Sequence, residues 1–191
     1  MAESAQAAVA GLVLAAGEGR RYGRPKALVE FDGERLVDRA VRLAHDGGCS
    51  PVVVVAGAAP LAVDGARVVD NADWRSGMGS SLRAGLAALP ATASAVVVLL
   101  VDTPWLGPEA VRRLIAAHQT GAELASATYD GERGHPVLLG RGHWAGVAAS
   151  AAGDAGARAY LARQPALVIE VDCTETGNPT DVDFADFRCE C

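Results

Sequence analysis

The residues best suited to chemistry begin at Leu14. The chain there reads Leu14-Ala15-Ala16-Gly17-Glu18-Gly19-Arg20-Arg21-Tyr22-Gly23-Arg24-Pro25-Lys26. Glycines remove Cβ atoms, so a ligand can approach the backbone and its N–H groups can point inward. Arginine and lysine carry the positive charge that suits phosphate oxygens. An apolar run leading into glycines and cations describes a cradle for a polyphosphate.

A second signal lies in Val96-Val97-Val98-Leu99-Leu100-Val101-Asp102-Thr103-Pro104. A carboxylate leaving the end of a buried strand faces a ligand crevice. Mg²⁺ prefers one or two carboxylates with phosphates and water, so Asp102 is suited to hold it against a triphosphate. Aspartate also caps turns well, and the residue pattern leaves that role open. Asp181 and Asp183 supply two further carboxylates. Their spacing puts both on one face of an extended segment; an exposed acidic turn is the alternative. Trp74-Arg75-Ser76-Gly77-Met78-Gly79-Ser80-Ser81-Leu82 reads as a glycine–serine loop opening a helix. Its N–H groups and the hydroxyls of Ser80 and Ser81 suit a base edge or a ribose.

The first loop fits some nucleotide patterns and not others. In a G-x-G-x-x-G dinucleotide fingerprint, Tyr22 falls where the third glycine belongs, and Pro25 interrupts the helix that should follow. A P-loop needs Lys-Ser or Lys-Thr directly after its last glycine, and neither Gly19 nor Gly23 is followed by one. A solvated glycine turn is the unspecific alternative. The form L-A-[AG]-G-x-G-x-R-(apolar)-G-x-P-K matches at every glycine and polar position, with Arg21 and Lys26 as its cations. On this loop, and on the Asp102-Thr103-Pro104 segment, the chain resembles the MobA-like NTP transferase family. Within it the chain looks most like the molybdenum cofactor cytidylyltransferases. The resemblance runs over residues 9–188.

That resemblance implies a nucleotidyl transfer with Mg²⁺ as cofactor. Arg21, Lys26 and Asp102 would be the catalytic groups. Asp102 would bind metal with Asp183 or Asp181, although Phe184-Ala185 stands where the family has Thr-Pro. Base and ribose would lie against Leu14, Ala15, Ala16, Gly17, Gly19, Gly77, Ser80 and Ser81. Gly134-His135-Pro136-Val137 and Gly153-Asp154-Ala155-Gly156-Ala157-Arg158 resemble family segments bordering the acceptor. Trp105, His135, Pro136, Asp154 and Arg158 are therefore the expected acceptor group. His135 has a packing role as its alternative, and Arg158 has pairing with Asp154. Alanine at position 16, where guanylyl-transferring relatives carry glycine, implies CTP as donor. The implied acceptor is molybdopterin-type, with a molybdenum hydroxylase as recipient. Other superfamily transfers, to a sugar phosphate or phospholactate, are alternatives. So is an NAD(P)H-dependent oxidoreductase, because one branch of similar sequences is of the nicotine-blue type.

These groups need elements to hold them. Leu12–Ala15, Val52–Ala56, Val68–Val69, Val96–Val101 and Leu167–Val171 are short apolar runs rich in valine. Such runs suit strands buried on both faces. Arg35–His45, Ser81–Leu89, Pro108–His118 and Asp154–Arg163 read as helices between them. A cap at Ser80 or Ser81 suits the second, and proline suits the start of the third. Tyr129–Leu139 reads as a hairpin excursion around Asp130-Gly131-Glu132. The alternation predicts an α/β, doubly wound, mostly parallel sheet of Rossmann-like type in a single domain, residues 1–191. Ligands bind such sheets outside the carboxyl ends of the strands. Both the glycine loop and Asp102 sit at such ends.

Composition sets the remaining bounds. With 191 residues, half of them hydrophobic, one core is expected. A net charge of −6 argues against general nucleic-acid binding. Glu3 is the only charged side chain before the loop, so no signal peptide is expected. No run approaches membrane-spanning length, and a cytoplasmic protein with no membrane partner is expected. Its four cysteines, Cys49, Cys173, Cys189 and Cys191, are then thiols. No further Cys or His completes a metal set around Cys189 and Cys191.

Overall fold

The structure is a computed structural model that describes residues 8–182. The first strand, β1 (Val9–Leu14), is buried throughout. A small antiparallel ribbon follows, β2 (Glu30–Phe31) paired with β3 (Glu34–Arg35). Helix α1 (Leu36–Asp46) then returns the chain to β4 (Val52–Ala56). Next come β5 (Arg67–Asp70), α2 (Met78–Ala88) and β6 (Ala95–Leu100). Helix α3 (Pro108–Gln119) leads to the hairpin of β7 (Leu124–Tyr129) and β8 (Glu132–Gly140). Helices α4 (Trp144–Ser150) and α5 (Arg158–Ala162) precede β9 (Val168–Asp172).

Seven strands form one sheet in the order β5-β4-β1-β6-β8-β7-β9. β8 pairs antiparallel to both neighbours, and the other pairings are parallel. This is the expected α/β, mostly parallel sheet. The apolar runs of β1, β4 and β6 are buried on both faces. The runs at Val68–Val69 and Leu167–Val171, expected to be buried as well, form the edge strands β5 and β9, which are half-buried to exposed apart from Val168. One core packs Val54, Val97 and Leu99 against Val37 and Val41 of α1 and Leu114 of α3. The other packs Leu12, Val53, Val55 and Val98 against Leu82 of α2 and Trp144 of α4. Two covered faces explain why these strands show no polar alternation. Among the described residues no helix is long and apolar enough to cross a membrane.

Some elements differ from expectation. Tyr129–Leu139 is no excursion: β8 lies inside the sheet between β6 and β7. Its tight turn is Asp130-Gly131, both at positive φ (51° and 84°), as a two-residue hairpin turn requires. Helix α2 starts before the serines. Gly77, at φ 107°, is its N-cap residue, and neither Ser80 nor Ser81 caps it. The helix expected over Asp154–Arg163 is divided. A 3-10 turn covers Gly153–Ala155, Gly156 takes φ 51°, and α5 begins at Arg158. A left-handed residue cannot continue a right-handed helix.

Candidate active site

The crevice opens at the carboxyl ends of β1 and β6, where the strand order reverses. One side of β1 carries β4 and β5, and the other carries β6. Backbone pairing runs to the mouth: Ala15 N–H donates to Val55 at 3.0 Å and Val101 N–H to Leu14 at 3.3 Å. Ligand crevices of open α/β sheets form at such switch points. This one has a volume of about 490 Å³.

The glycine loop forms its rim. Gly19 sits at φ 64° and its carbonyl accepts from Tyr22 N–H at 2.9 Å and Gly23 N–H at 2.8 Å. A Cβ on Gly19 would strike the carbonyl of Arg24, so position 19 needs glycine for the turn itself. A Cβ on Gly17 would meet nothing within 4 Å. Its openness leaves the backbone accessible to a ligand. Arg20 pairs with Glu18, and both line the crevice with Arg21. Past Pro25, a 3-10 turn over Lys26–Leu28 directs Lys26 inward. Its Nζ lies 2.8 Å from Oδ2 of Asp102.

Asp102 leaves β6 and lines the crevice. The loop after it is held from two sides. Val182 N–H donates to the Asp102 carbonyl at 2.8 Å, Gly107 N–H to Thr176 at 2.8 Å and Asn178 N–H to Trp105 at 3.2 Å. On the other side, Arg39 Nε donates to the Pro104 carbonyl at 2.7 Å. Its guanidinium lies 5.4 Å from the centroid of Phe31, whose ring meets Trp105 edge-on at 5.4 Å. Trp105 is thus tied to the β2–β3 ribbon, outside the crevice lining. Asp181 is exposed, next in sequence to the Val182 that holds Asp102. Asp183, Cys189 and Cys191 lie outside the described residues. Cys49 and Cys173 are buried free thiols.

The remaining expected residues divide by position. Leu14, Ala16, Gly17, Gly19, Arg21, Lys26, Gly77, Ser81, Asp102 and Asp154 line one crevice. Ala15 is buried in the core beneath it. Ser80 is buried in a polar hinge: its hydroxyl accepts from Asn71 Nδ2 at 2.8 Å and has the carbonyls of Gly77 (2.8 Å) and Asp73 (3.0 Å) within reach of its single proton. Asp154 Oδ1 accepts from Met78 N–H at 3.4 Å, joining the 153–155 turn to the start of α2. Among the described residues no ion pair joins Asp154 to Arg158.

His135 and Pro136, joined by a cis peptide, lie early in β8. Because β8 runs antiparallel to β6, its first residues extend past the Val98–Val137 pair toward Asp102. Burial pushes the His135 imidazole down to about 4; Asp102 partly restores it and the Arg158 charge lowers it further. The ring is held as a neutral imidazole, and it is electrostatically coupled to both residues. The Tyr129 hydroxyl fixes the His135 carbonyl at 3.0 Å.

Trp74, Arg75 and Met78 also line the crevice, and sequence reasoning assigned them no role. Their signal was an aromatic–arginine pair just before the glycine that opens a helix. A carboxylate facing a phosphate-sized space suits a hard divalent cation, which takes few protein ligands and completes its shell with phosphate and water. Among the described residues no three His, Cys, Asp or Glu groups gather into a protein-only cage.

Residues 11–168 match the MobA-like NTP transferase domain. The chain belongs to this family. It is a nucleotidyltransferase by family. Relatives of this family member divide in function. Nicotine blue oxidoreductase of Paenarthrobacter nicotinovorans is 42% identical over 189 residues, 92% of each chain. The probable molybdenum cofactor guanylyltransferase of Opitutus terrae is 37% identical over 134 residues, 64% of this chain and 66% of its own. In structure, Rv0371c of Mycobacterium tuberculosis H37Rv superposes with TM-score 0.80 at 28% identity, over 95% of this chain and 96% of its own. A manganese complex of that protein superposes with TM-score 0.73 at 27% identity, over 86% and 88%.

Proposed function

We propose that the enzyme transfers a nucleoside monophosphate from a nucleoside triphosphate to a phosphate-bearing acceptor of molybdopterin type, releasing pyrophosphate. The observation that carries this reading is the meeting of the glycine loop, Lys26 and Asp102 at one strand switch point. An acceptor phosphate oxygen forms the new bond to the α-phosphorus. The bond from that phosphorus to the β-bridging oxygen breaks, and pyrophosphate leaves with the electron pair. Such chemistry is governed by positioning and charge stabilisation. Lys26 and Arg21 neutralise the β- and γ-phosphates as charge develops on the leaving group. Backbone at Ala16–Gly19 takes the ribose and α-phosphate. Asp102, with Asp181 or Asp183, would hold Mg²⁺ or Mn²⁺; a bound divalent ion would neutralise phosphate charge there. Neutral His135 and Arg158 border the acceptor side.

CTP is our first donor, because Ala16 narrows the turn where a base passes; GTP is the rival supported by the guanylyltransferase relatives. The test is pyrophosphate release from each of CTP, GTP, ATP and UTP, with molybdopterin as acceptor and with Mg²⁺ or Mn²⁺. Release that requires the acceptor supports the reading; no release from any triphosphate defeats it.

A second reading is NAD(P)H-dependent reduction of a nicotine-blue-type pigment. It is favoured by the 42% identity that extends over 92% of both chains. It needs neither metal nor pyrophosphate. Loss of NAD(P)H absorbance on adding such a pigment, with no pyrophosphate released from any triphosphate, would select it.

A further inference from the structure

One wall of the crevice joins three elements. Ala16 follows β1, Gly57 follows β4, and Trp74 begins a 3-10 turn beyond β5. Ala58 N–H donates to the Ala16 carbonyl at 3.0 Å, so the first two are fixed side by side. A Cβ on Gly57 would stand 2.8 Å from the Ala16 Cβ, 2.6 Å from the Trp74 Cβ and 2.8 Å from its Cγ. All three distances are below van der Waals contact. The backbone of Gly57 is not in the left-handed region, so alanine there would be opposed by space alone and would require Trp74 or Ala16 to shift. Trp74 is the one aromatic side chain among the described crevice-lining residues. Its indole carries the Arg75 guanidinium 4.4 Å from the ring centroid. The cations that suit phosphates, Arg21 and Lys26, are on the glycine loop, so the indole is what the crevice offers to a flat apolar group.

We propose that Trp74 is a specificity-determining residue of the nucleotide site. The base lies against the Ala16–Trp74 wall, and Gly57 sets how far the indole stands back. Base size is then read by three positions that share one volume. Aromatic side chains hold bases through their π-faces with little regard to sequence. The distance of the wall, rather than a hydrogen-bond pattern, would separate pyrimidine from purine. This inference rests on the nucleotidyl-transfer reading.

The experiment measures binding of Mg²⁺-CTP, Mg²⁺-GTP and Mg²⁺-pyrophosphate by calorimetry. Pyrophosphate has no base, so it reports on the phosphate end alone. Trp74→Ala should weaken both nucleotides by roughly tenfold or more, the usual effect of removing an aromatic ring that stacks on a base, and leave pyrophosphate unchanged. Trp74→Phe keeps most of the packing and should lose less. Gly57→Ala should push the indole inward and shift the CTP:GTP affinity ratio toward CTP by about tenfold. Adding Ala16→Gly removes one of the contacted methyls and should reverse part of that shift. An unchanged CTP:GTP ratio in Gly57→Ala, or equal loss of pyrophosphate and nucleotide in both Trp74 variants, overturns the proposal. Wild-type protein that binds pyrophosphate and neither nucleotide overturns the underlying reading and this inference with it.

Discussion

The Lys26 ammonium lies 2.8 Å from Oδ2 of Asp102, although 76 residues separate them. Their side chains are only 15% and 20% exposed, so the pair is screened less than a surface pair. One partner comes from the loop after β1 and the other from the end of β6. Adjacent parallel strands, β1 and β6, bring a cation and a carboxylate to one point. In the proposed reaction a triphosphate with a divalent ion would supply the complementary charges, anion for Lys26 and cation for Asp102. Ligand binding would therefore redistribute an existing pair and leave neither charge uncompensated.

Lys26→Ala and Arg21→Ala should each lower turnover by on the order of 10²-fold, the usual loss on removing one electrostatic stabiliser. Steady-state pyrophosphate release measures it. Turnover near wild type in both variants would mean that the loop does not hold the phosphates.

Asp102→Asn keeps the shape of the side chain and removes its charge. Metal-dependent turnover should be lost, with a lowered thermal midpoint because Lys26 loses its 2.8 Å carboxylate partner, while the backbone of residue 102 remains anchored by Val182 N–H. Mn²⁺ binding followed by its paramagnetic resonance should weaken in parallel. Full activity with an unchanged metal requirement would leave Asp102 as a turn residue only.

Legibility in the sequence followed physical cause. The valine runs declared β1, β4 and β6 because burial on both faces leaves an unbroken apolar signal. β7 did not declare itself: Ser126 and Thr128 interrupt Leu124–Tyr129, yet both are buried, their hydroxyls turned to backbone carbonyls. Helix α4, Trp144-Ala145-Gly146-Val147-Ala148-Ala149-Ser150, is short and rich in alanine and so gives little periodic signal; its burial rests on Trp144 and Val147. At the site, glycines, cations and Asp102 were readable because their types are chemically specific. Ser80 was misleading, since a hydroxyl beside a glycine looks the same whether it faces a ligand or closes a hinge. Trp74 was passed over because its wall exists only through Gly57 and Ala16, which are distant in sequence.

Asn71→Ala tests that hinge. Asn71 Nδ2 reaches the hydroxyls of Ser80 at 2.8 Å and Ser81 at 3.1 Å, and its Oδ1 accepts from Asp73 N–H at 3.0 Å. Truncation removes the donor to both serine hydroxyls and the acceptor of Asp73 N–H, so unfolding free energy should fall by about 1–3 kcal/mol. Urea denaturation measures it. A change within error would show that water replaces the amide at no cost.

Stability should also depend on His135 in acid. Burial holds its folded pKa at about 4, below the unfolded value near 6.5. Between these values the unfolded chain binds more protons, so stability is complete above pH 6.5 and falls as pH drops toward 4. At most about 3 kcal/mol is at stake, from linkage. Asp102 and Arg158 are the charged groups coupled to the ring. His135→Gln should flatten the curve in that window. Equal slopes for wild type and variant would mean that the ring is solvated.

CTP should raise the thermal midpoint more than GTP at equal concentration with Mg²⁺, and Ala16→Gly should narrow the gap. A ligand that binds only the folded state adds RT ln(1 + [L]/Kd), so midpoints rank affinities. Ala16 sits where β1 becomes the loop, lines the crevice and stands beside Gly57 and Trp74. Its methyl takes up room that a purine would need, and glycine restores that room with added backbone freedom. Discrimination from one methyl is limited to about 1–3 kcal/mol, so the variant should shift the ranking without abolishing binding of either nucleotide. A larger midpoint rise with GTP in the wild type would defeat the cytidylyl choice and leave nucleotidyl transfer intact. A rise with NADPH, and with no triphosphate, would move the assignment to hydride transfer.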